Sequence, residues 1–214
     1  HADNPYTAET EPPIPFTLGV RVANKGYGPA HKLKIESGQP KIIENEQGLF
    51  IEFLIIGSEV GAETALPTLT VDMGDVLPDT AAIARWFMTT SLQGKFVDFT
   101  ASFTHADELG GAVTSLLEEI QTHTLIRDVK VIAPGRDNIR DFLARDGSVI
   151  KVYESDLVDT VVFDASSGSV IDKINGSTYR IDGPPTGGMA YISLPDPAEG
   201  ALEVSEVIRT DGLA

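Results

Sequence analysis

Cysteine is absent from this 214-residue chain. Its absence excludes disulfide staples, thiolate zinc sites, iron–sulfur clusters and cysteine nucleophiles. Basic residues are scarce: 16 Lys and Arg against 32 Asp and Glu leave a formal net charge of −16. Such a surface repels phosphate backbones and anionic headgroups, which argues against nucleic-acid binding and against a basic patch for lipid. Long apolar runs are also missing. A bilayer span needs about 20 apolar residues, and the longest candidate, residues 49–56, is interrupted by Glu52. The opening His1-Ala2-Asp3-Asn4-Pro5 has no basic stretch and no apolar stretch, so it does not read as a signal peptide. The closing Asp211-Gly212-Leu213-Ala214 reads as the start of a linker. The chain is therefore expected to be a piece of a larger exported protein.

What is present is a globular composition. Hydrophobic residues make up 42% and charged residues 22%, which excludes a disordered chain. The length fits one or two domains. Residues 1–15 carry Pro5, Pro12, Pro13 and Pro15. Proline lacks a backbone donor and favours extended chain, so this stretch reads as a leader or linker.

From Phe16 the apolar period becomes two. Phe16, Leu18, Val20 and Val22 alternate with Thr17, Gly19, Arg21 and Ala23, the pattern of a half-buried strand. Further strands are expected at 33–35, 41–43, 49–56, 68–73, 81–89 and 96–103. In 81–89, Ile83, Arg85, Phe87 and Thr89 share one face, and Ala82, Ala84, Trp86 and Met88 the other. Turn chemistry lies between them, at Asn24-Lys25-Gly26-Tyr27-Gly28-Pro29 and at Gly74-Asp75-Val76-Leu77-Pro78-Asp79. Many short strands with regular turn signals are the pattern of a β-sandwich. Residues 114–125 read as a strand leading into a second region. There, Ile139, Phe142 and Leu143 fall at i, i+3, i+4 and predict one short helix near 137–145, ended by Asp146-Gly147. Strands follow at 149–153, 160–163, 170–174, 178–181, 189–194 and 202–208, with Asn175-Gly176 as a hairpin signal.

Residues 20–35 open with Val20-Arg21-Val22-Ala23-Asn24-Lys25-Gly26, and the later Gly74-Asp75-Val76-Leu77-Pro78-Asp79-Thr80-Ala81 is a turn before a strand. Together these resemble the opening strand and the proline turn of CARDB-like domains, a group of immunoglobulin-like domains. Asp79 stands where that family usually has glycine. The resemblance covers roughly residues 16–104. It implies an immunoglobulin-like sandwich of the kind that serves as a spacer in large bacterial secreted and surface proteins. The resulting expectation is an all-β chain with two immunoglobulin-like β-sandwich domains in tandem, residues 16–125 and 126–214, after the 1–15 leader.

Candidate chemistry is sparse. His1 could chelate copper through its amine and ring, with His31, His105 or His123 as a second ligand, but no surrounding motif supports it. His105 with Asp107 and Glu108, and His123 with Glu118 and Glu119, lack metal-ligand spacing such as H-E-x-x-H. Adjacent Glu118 and Glu119 point to opposite faces of a strand. Calcium is the more serious ion, through Asp72, Asp75 and Asp79, or Asp156, Asp159 and Asp164, although neither group matches an EF-hand loop. No G-x-S-x-G elbow and no G-K-[ST] phosphate cradle occurs. Asn175-Gly176-Ser177 is a formal glycosylation acceptor. Trp86 reads as a core residue. These readings lead to a non-enzymatic structural or assembly module, extracellular or at the cell surface, in a surface protein, adhesin or filament. Its partners would be neighbouring domains or copies of itself, and no catalytic, cofactor or metal residue is assigned. The alternative is a carbohydrate- or protein-binding accessory module of a secreted enzyme, displaying Tyr153, Tyr179 and Tyr191.

Overall fold

A computed structural model of the chain describes residues 8, 13–37, 41–42, 52–91, 96–98, 101–106, 112–113 and 118–210. Its strands are β1 (Phe16–Asn24), β2 (Ala30–Ser37), β3 (Lys41–Ile42), β4 (Phe53–Val60), β5 (Glu63–Ala65), β6 (Thr70–Val76), β7 (Thr80–Thr90), β8 (Phe96–Asp98), β9 (Ala101–Ala106), β10 (Ala112–Val113), β11 (Thr124–Val129), β12 (Asp141–Asp146), β13 (Val149–Tyr153), β14 (Asp159–Asp164), β15 (Val170–Asn175), β16 (Thr178–Asp182) and β17 (Ala190–Tyr191). One 3-10 turn, Ser166–Gly168, completes the regular structure of the described residues. The fold is all-β.

Residues 1–160 and residues 161–214 form two compact units. The boundary expected at 125/126 lies inside the first. That unit holds two four-stranded sheets, ordered β1-β7-β4-β5 and β10-β9-β2-β6. They share one core of Leu33, Ile35, Val71, Met73, Val76, Ala84, Trp86 and Met88, with Phe16, Leu18, Val20, Val22, Phe53, Ile55 and Val60 packed against it. The alternation in β7 is the one the sequence predicts. Ala82, Ala84, Trp86 and Met88 face this core opposite Val22, Val20, Leu18 and Phe16 of β1. Burying such a side chain contributes roughly 1.5–3 kcal/mol. Trp86 also donates its indole N–H to the Thr68 carbonyl at 2.9 Å, so its one polar atom is satisfied.

The outward face of β7 is not left to water. Ile83 is buried with Phe142, Ala144 and Tyr153, and Leu125 packs against them. β11, β12 and β13 form an antiparallel meander that supplies these residues. β7 is thus buried on both faces, which explains why it can carry apolar residues at nearly every position.

The helix expected near 137–145 does not form. Residues 141–146 are strand β12, and Phe142, Leu143 and Ala144 are consecutive buried residues. A strand buried on both faces produces an unbroken apolar run, and that run also satisfies i, i+3, i+4 spacing. Asp146-Gly147, read as a helix stop, begins a hairpin. Asp146 pairs with Val149 across Gly147-Ser148, and Gly147 takes φ +57, a conformation cheap only for glycine.

In residues 161–214, β14 pairs in parallel with β17 through Phe163↔Ala190 and Asp164↔Tyr191. β15 and β16 form a two-stranded antiparallel hairpin. Its turn centres on Gly176-Ser177 rather than Asn175-Gly176, since Asn175 pairs with Thr178. The strand expected at 202–208 is absent: residues 203–209 lie outside any ladder.

Candidate functional site

The most concentrated charge chemistry lies where the meander meets β7. Arg85 belongs to the outward-facing set of β7 yet is only 1% exposed. Its guanidinium donates to Glu59 Oε2 at 3.1 Å and to the Arg140 carbonyl. It lies 5.1 Å from the Phe142 ring centroid. Its Nε stands 3.4 Å from Asp128 Oδ1, an ion pair without hydrogen-bond geometry. Arg140 closes the other side of Glu59 with bonds of 2.7 and 2.9 Å. Thr17 donates to Asp128 at 3.1 Å. Every charge at this seam is matched by an opposite charge, as burial requires. The network clamps the meander to the sandwich.

A second cluster ties the loop before β12 to the connection between β13 and β14. Glu154 is 1% exposed, pairs with Arg136 at 2.6 Å and accepts a short hydrogen bond from the Thr160 hydroxyl. Asp141 is 3% exposed and accepts the Ser155 amide at 2.9 Å. Burial pushes the Asp141 carboxyl above its ordinary range, against the pull of the Ser155 and Val131 amides. Asp137 accepts the Ser155 hydroxyl at 2.7 Å and the Ile139 amide at 2.9 Å. Two buried carboxyls in different environments can serve as an acid–base pair. Here their oxygens are committed to Arg136, Thr160 and backbone amides, so the arrangement fixes the loop.

The structure separates the predicted calcium ligands. Asp72 pairs with Lys34 at 3.5 Å and accepts the Gly74 amide at 3.0 Å. Asp75 binds His31 at 3.0 Å and the Lys32 amide at 2.8 Å, contacts that hold its carboxyl below the ordinary range. Asp79 takes φ +55 and donates its amide to the Asn24 carbonyl at 2.8 Å. Asp156 pairs with Arg136 at 3.7 Å and Asp159 with Arg21 at 2.7 Å, while Asp164 accepts the Ser166 amide at 3.1 Å. Among the described residues, no group of three or more His, Asp or Glu side chains is arranged to hold a metal.

His1, Asp107 and Glu108 fall outside the described residues, as does the His105 side chain. Glu118 and Glu119 are exposed. His123 stacks on Tyr153 with centroids 4.5 Å apart and faces Asp146 at 3.8 Å. Tyr153 is itself 8% exposed, so it offers no platform to a sugar. Tyr179 and Tyr191 are half-buried, and Lys173 lies 5.7 Å from the Tyr179 ring centroid.

Residues 161–214 carry a set of exposed apolar side chains. Val161, Phe163, Val170, Ile174 and Ile181 are 52–64% exposed, and Val204, Val207 and Ile208 are 72–83% exposed. Residues 203–209 form no ladder, and the apolar Leu202, Val204, Val207 and Ile208 fall in or beside this stretch, with Glu206 interrupting the alternation. In the first unit, β5 pairs only with Ser58–Val60 of β4. The Phe53–Gly57 part of β4 therefore has one ladder partner, β7, among the described residues, and Leu54 and Ile56 on it are 62% and 49% exposed.

No protein-family model matches this chain, and no curated protein or solved structure matches it either.

Proposed function

We propose that the chain is a non-enzymatic structural and assembly module of an exported bacterial surface protein, adhesin or extracellular filament. In this reading the two sheets sharing the Trp86 core are an immunoglobulin-like, CARDB-like sandwich, and residues 161–214 belong to a second module of the same protein. The module works outside the cell or at its surface, as a stiff spacer that joins neighbouring domains or copies of itself through β-strand edges.

The observation that supports this most is the unpaired apolar segment 202–208. A stretch with Val204, Val207 and Ile208 at 72–83% exposure leaves its apolar side chains in water and its backbone outside any ladder. Strand addition satisfies both at once, the main chain through a ladder and the side chains through burial. The net charge of −16 opposes association of like copies and keeps the module soluble until an edge is engaged. The charge networks at Arg85 and Glu154 support the spacer role, since they lock loops and sheets rather than leaving polar groups open to a substrate.

Light scattering across a concentration and salt series tests this reading. Self-association that strengthens with salt is expected, because salt screens the repulsion between acidic copies. Val204→Asp with Ile208→Asp is expected to weaken it about tenfold or more. A chain that stays monomeric throughout, with segment 202–208 unprotected in hydrogen exchange, overturns the reading for copies of this chain.

A further inference from the structure

We propose that Asn175 is a site of spontaneous covalent modification, its side-chain amide closing onto the main-chain nitrogen of Gly176 to yield aspartate and isoaspartate in the folded chain. The inference is independent of the assembly reading. Asn175-Gly176 is the only Asn-Gly pair in the sequence. Ring closure needs the following nitrogen to approach Cγ of the asparagine, and a side chain on the following residue obstructs it. Gly176 has none, and a Cβ built there would meet nothing within 4 Å. The site is open, with Asn175, Gly176 and Ser177 all exposed.

The hairpin also supplies the motion that closure requires. β15 and β16 form a sheet of two strands, nearly all of whose residues are exposed. A two-stranded hairpin of this kind is marginal in water. Its ladder is irregular between Lys173 and Asn175, next to the reacting amide. The other described asparagines contrast with this. The Asn24 side chain donates to the Gly28 and Val76 carbonyls and accepts the Gly26 amide, each at 2.9 Å, and the next residue is Lys25. Asn138 precedes Ile139, whose β-branch crowds its own nitrogen.

The chemistry balances without an enzyme or an oxidant. The Gly176 nitrogen gives up its proton and bonds to Cγ of Asn175. The Cγ–Nδ2 bond breaks and Nδ2 leaves as ammonia. Water then opens the resulting succinimide at one of its two carbonyl–nitrogen bonds. One opening leaves aspartate. The other leaves isoaspartate, whose main chain runs through Cβ and Cγ and is one methylene longer. Either product adds a negative charge to the hairpin tip, and isoaspartate also displaces the Asn175–Thr178 pair that closes the turn.

The test is peptide mass mapping of the full folded chain held in mildly alkaline buffer, with isoaspartyl methyltransferase labelling as a second readout. The peptide holding Asn175 is expected to gain the mass difference between hydroxyl and amine, with methyl-accepting product, roughly tenfold faster than the peptides holding Asn24 and Asn138. Gly176→Ala is expected to slow conversion by roughly tenfold, since a Cβ shields the attacking nitrogen. Two results overturn the proposal: Asn175 intact in the folded chain while the same chain converts in denaturant, or Asn24 and Asn138 converting as fast as Asn175. Both are read on the unmodified sequence, so the proposal remains testable if Gly176→Ala disturbs the hairpin.

Discussion

The ring of Phe142 lies so close to Gly19 that a Cβ built on the glycine would meet Cε1 and Cζ at 2.5 Å. Gly19 is opposite Arg85 in the β1–β7 ladder, and Phe142 lies under the Arg85 guanidinium. A glycine inside a strand usually weakens it. Here it makes room for the aromatic ring that seals the meander onto the sandwich.

Gly19→Ala is therefore expected to destabilise the chain by about 1–3 kcal/mol, the cost of overpacking. The loss should appear as a lower urea midpoint. Phe142→Leu in the same background should recover part of it, because the smaller side chain vacates the space. Gly28→Ala serves as the control, since nothing lies within 4 Å of a Cβ there.

Arg85→Met should be milder than Arg85→Ala by the packing of the side-chain stem alone. Either substitution removes the guanidinium and leaves Glu59 and Asp128 partly buried without it, a loss of about 3–5 kcal/mol for a broken buried pair, and alanine also gives up the packing of the stem. Methionine keeps the stem volume. Combining Arg85→Met with Asp128→Asn should recover stability relative to Arg85→Met alone. A double-mutant cycle in chemical denaturation measures the coupling.

Asp79 occupies a left-handed conformation, at φ +55. The penalty there for a residue with a side chain is about 1 kcal/mol and is smaller for Asp than for most. Asp79→Gly is expected to keep or slightly raise the melting temperature, and Asp79→Val to lower it. Asn24→Ala should cost more than either, because its amide ties the Gly26–Gly28 turn to β6.

The carboxyls should show pKa shifts of opposite sign. Burial raises the folded-state pKa of Asp141, so the folded chain holds this proton more tightly than the unfolded chain. Asp141 therefore opposes folding above its raised pKa, and the penalty is relieved as pH falls through that range. Asp75 and Asp196 are lowered by backbone amides, from Lys32 and from Ala198 and Gly200. Their contribution is present above the unfolded carboxylate pKa and is lost as pH falls through their lowered values. Carboxyl-carbon NMR should place the Asp141 midpoint above the ordinary carboxylate range and the other two below it. All three at the same midpoint would refute the assignment.

Chelation should leave the melting temperature unchanged. Asp72 and Asp75 are spent on Lys34, His31 and backbone amides, and Asp156 and Asp159 on separate arginines. A downward shift on adding EDTA, restored by calcium, would overturn this view of the acidic turns.

Much of the sandwich is legible in the sequence. β1 and β7 alternate cleanly, and one face of each is committed to a single core, so period two survives in the text of the chain. β12 is not legible as a strand, because burial on both faces erases alternation and leaves a run that also suits a helix. Arg85 is hidden for a related reason. Its place in the outward-facing set is readable from the pattern, but its burial depends on Phe142, more than fifty residues away. The segment 202–208 fails in the opposite sense: its apolar residues suggest a strand, but Glu206 breaks the alternation and residues 203–209 join no ladder.

By itself the sequence determined the all-β class, the acidic coat, the inward set around Trp86 and the turns at Asn24 and Asp79. These depend on local alternation and on backbone preferences, which act over a few residues. Only the tertiary structure decided that residues 124–153 cover the outer face of β7, that Gly19 admits Phe142, and that Val204 and Ile208 remain in water. Those outcomes turn on which surfaces meet across long sequence separations. Burial is decided by the partner a face finds, and a one-dimensional pattern shows only that a face seeks one.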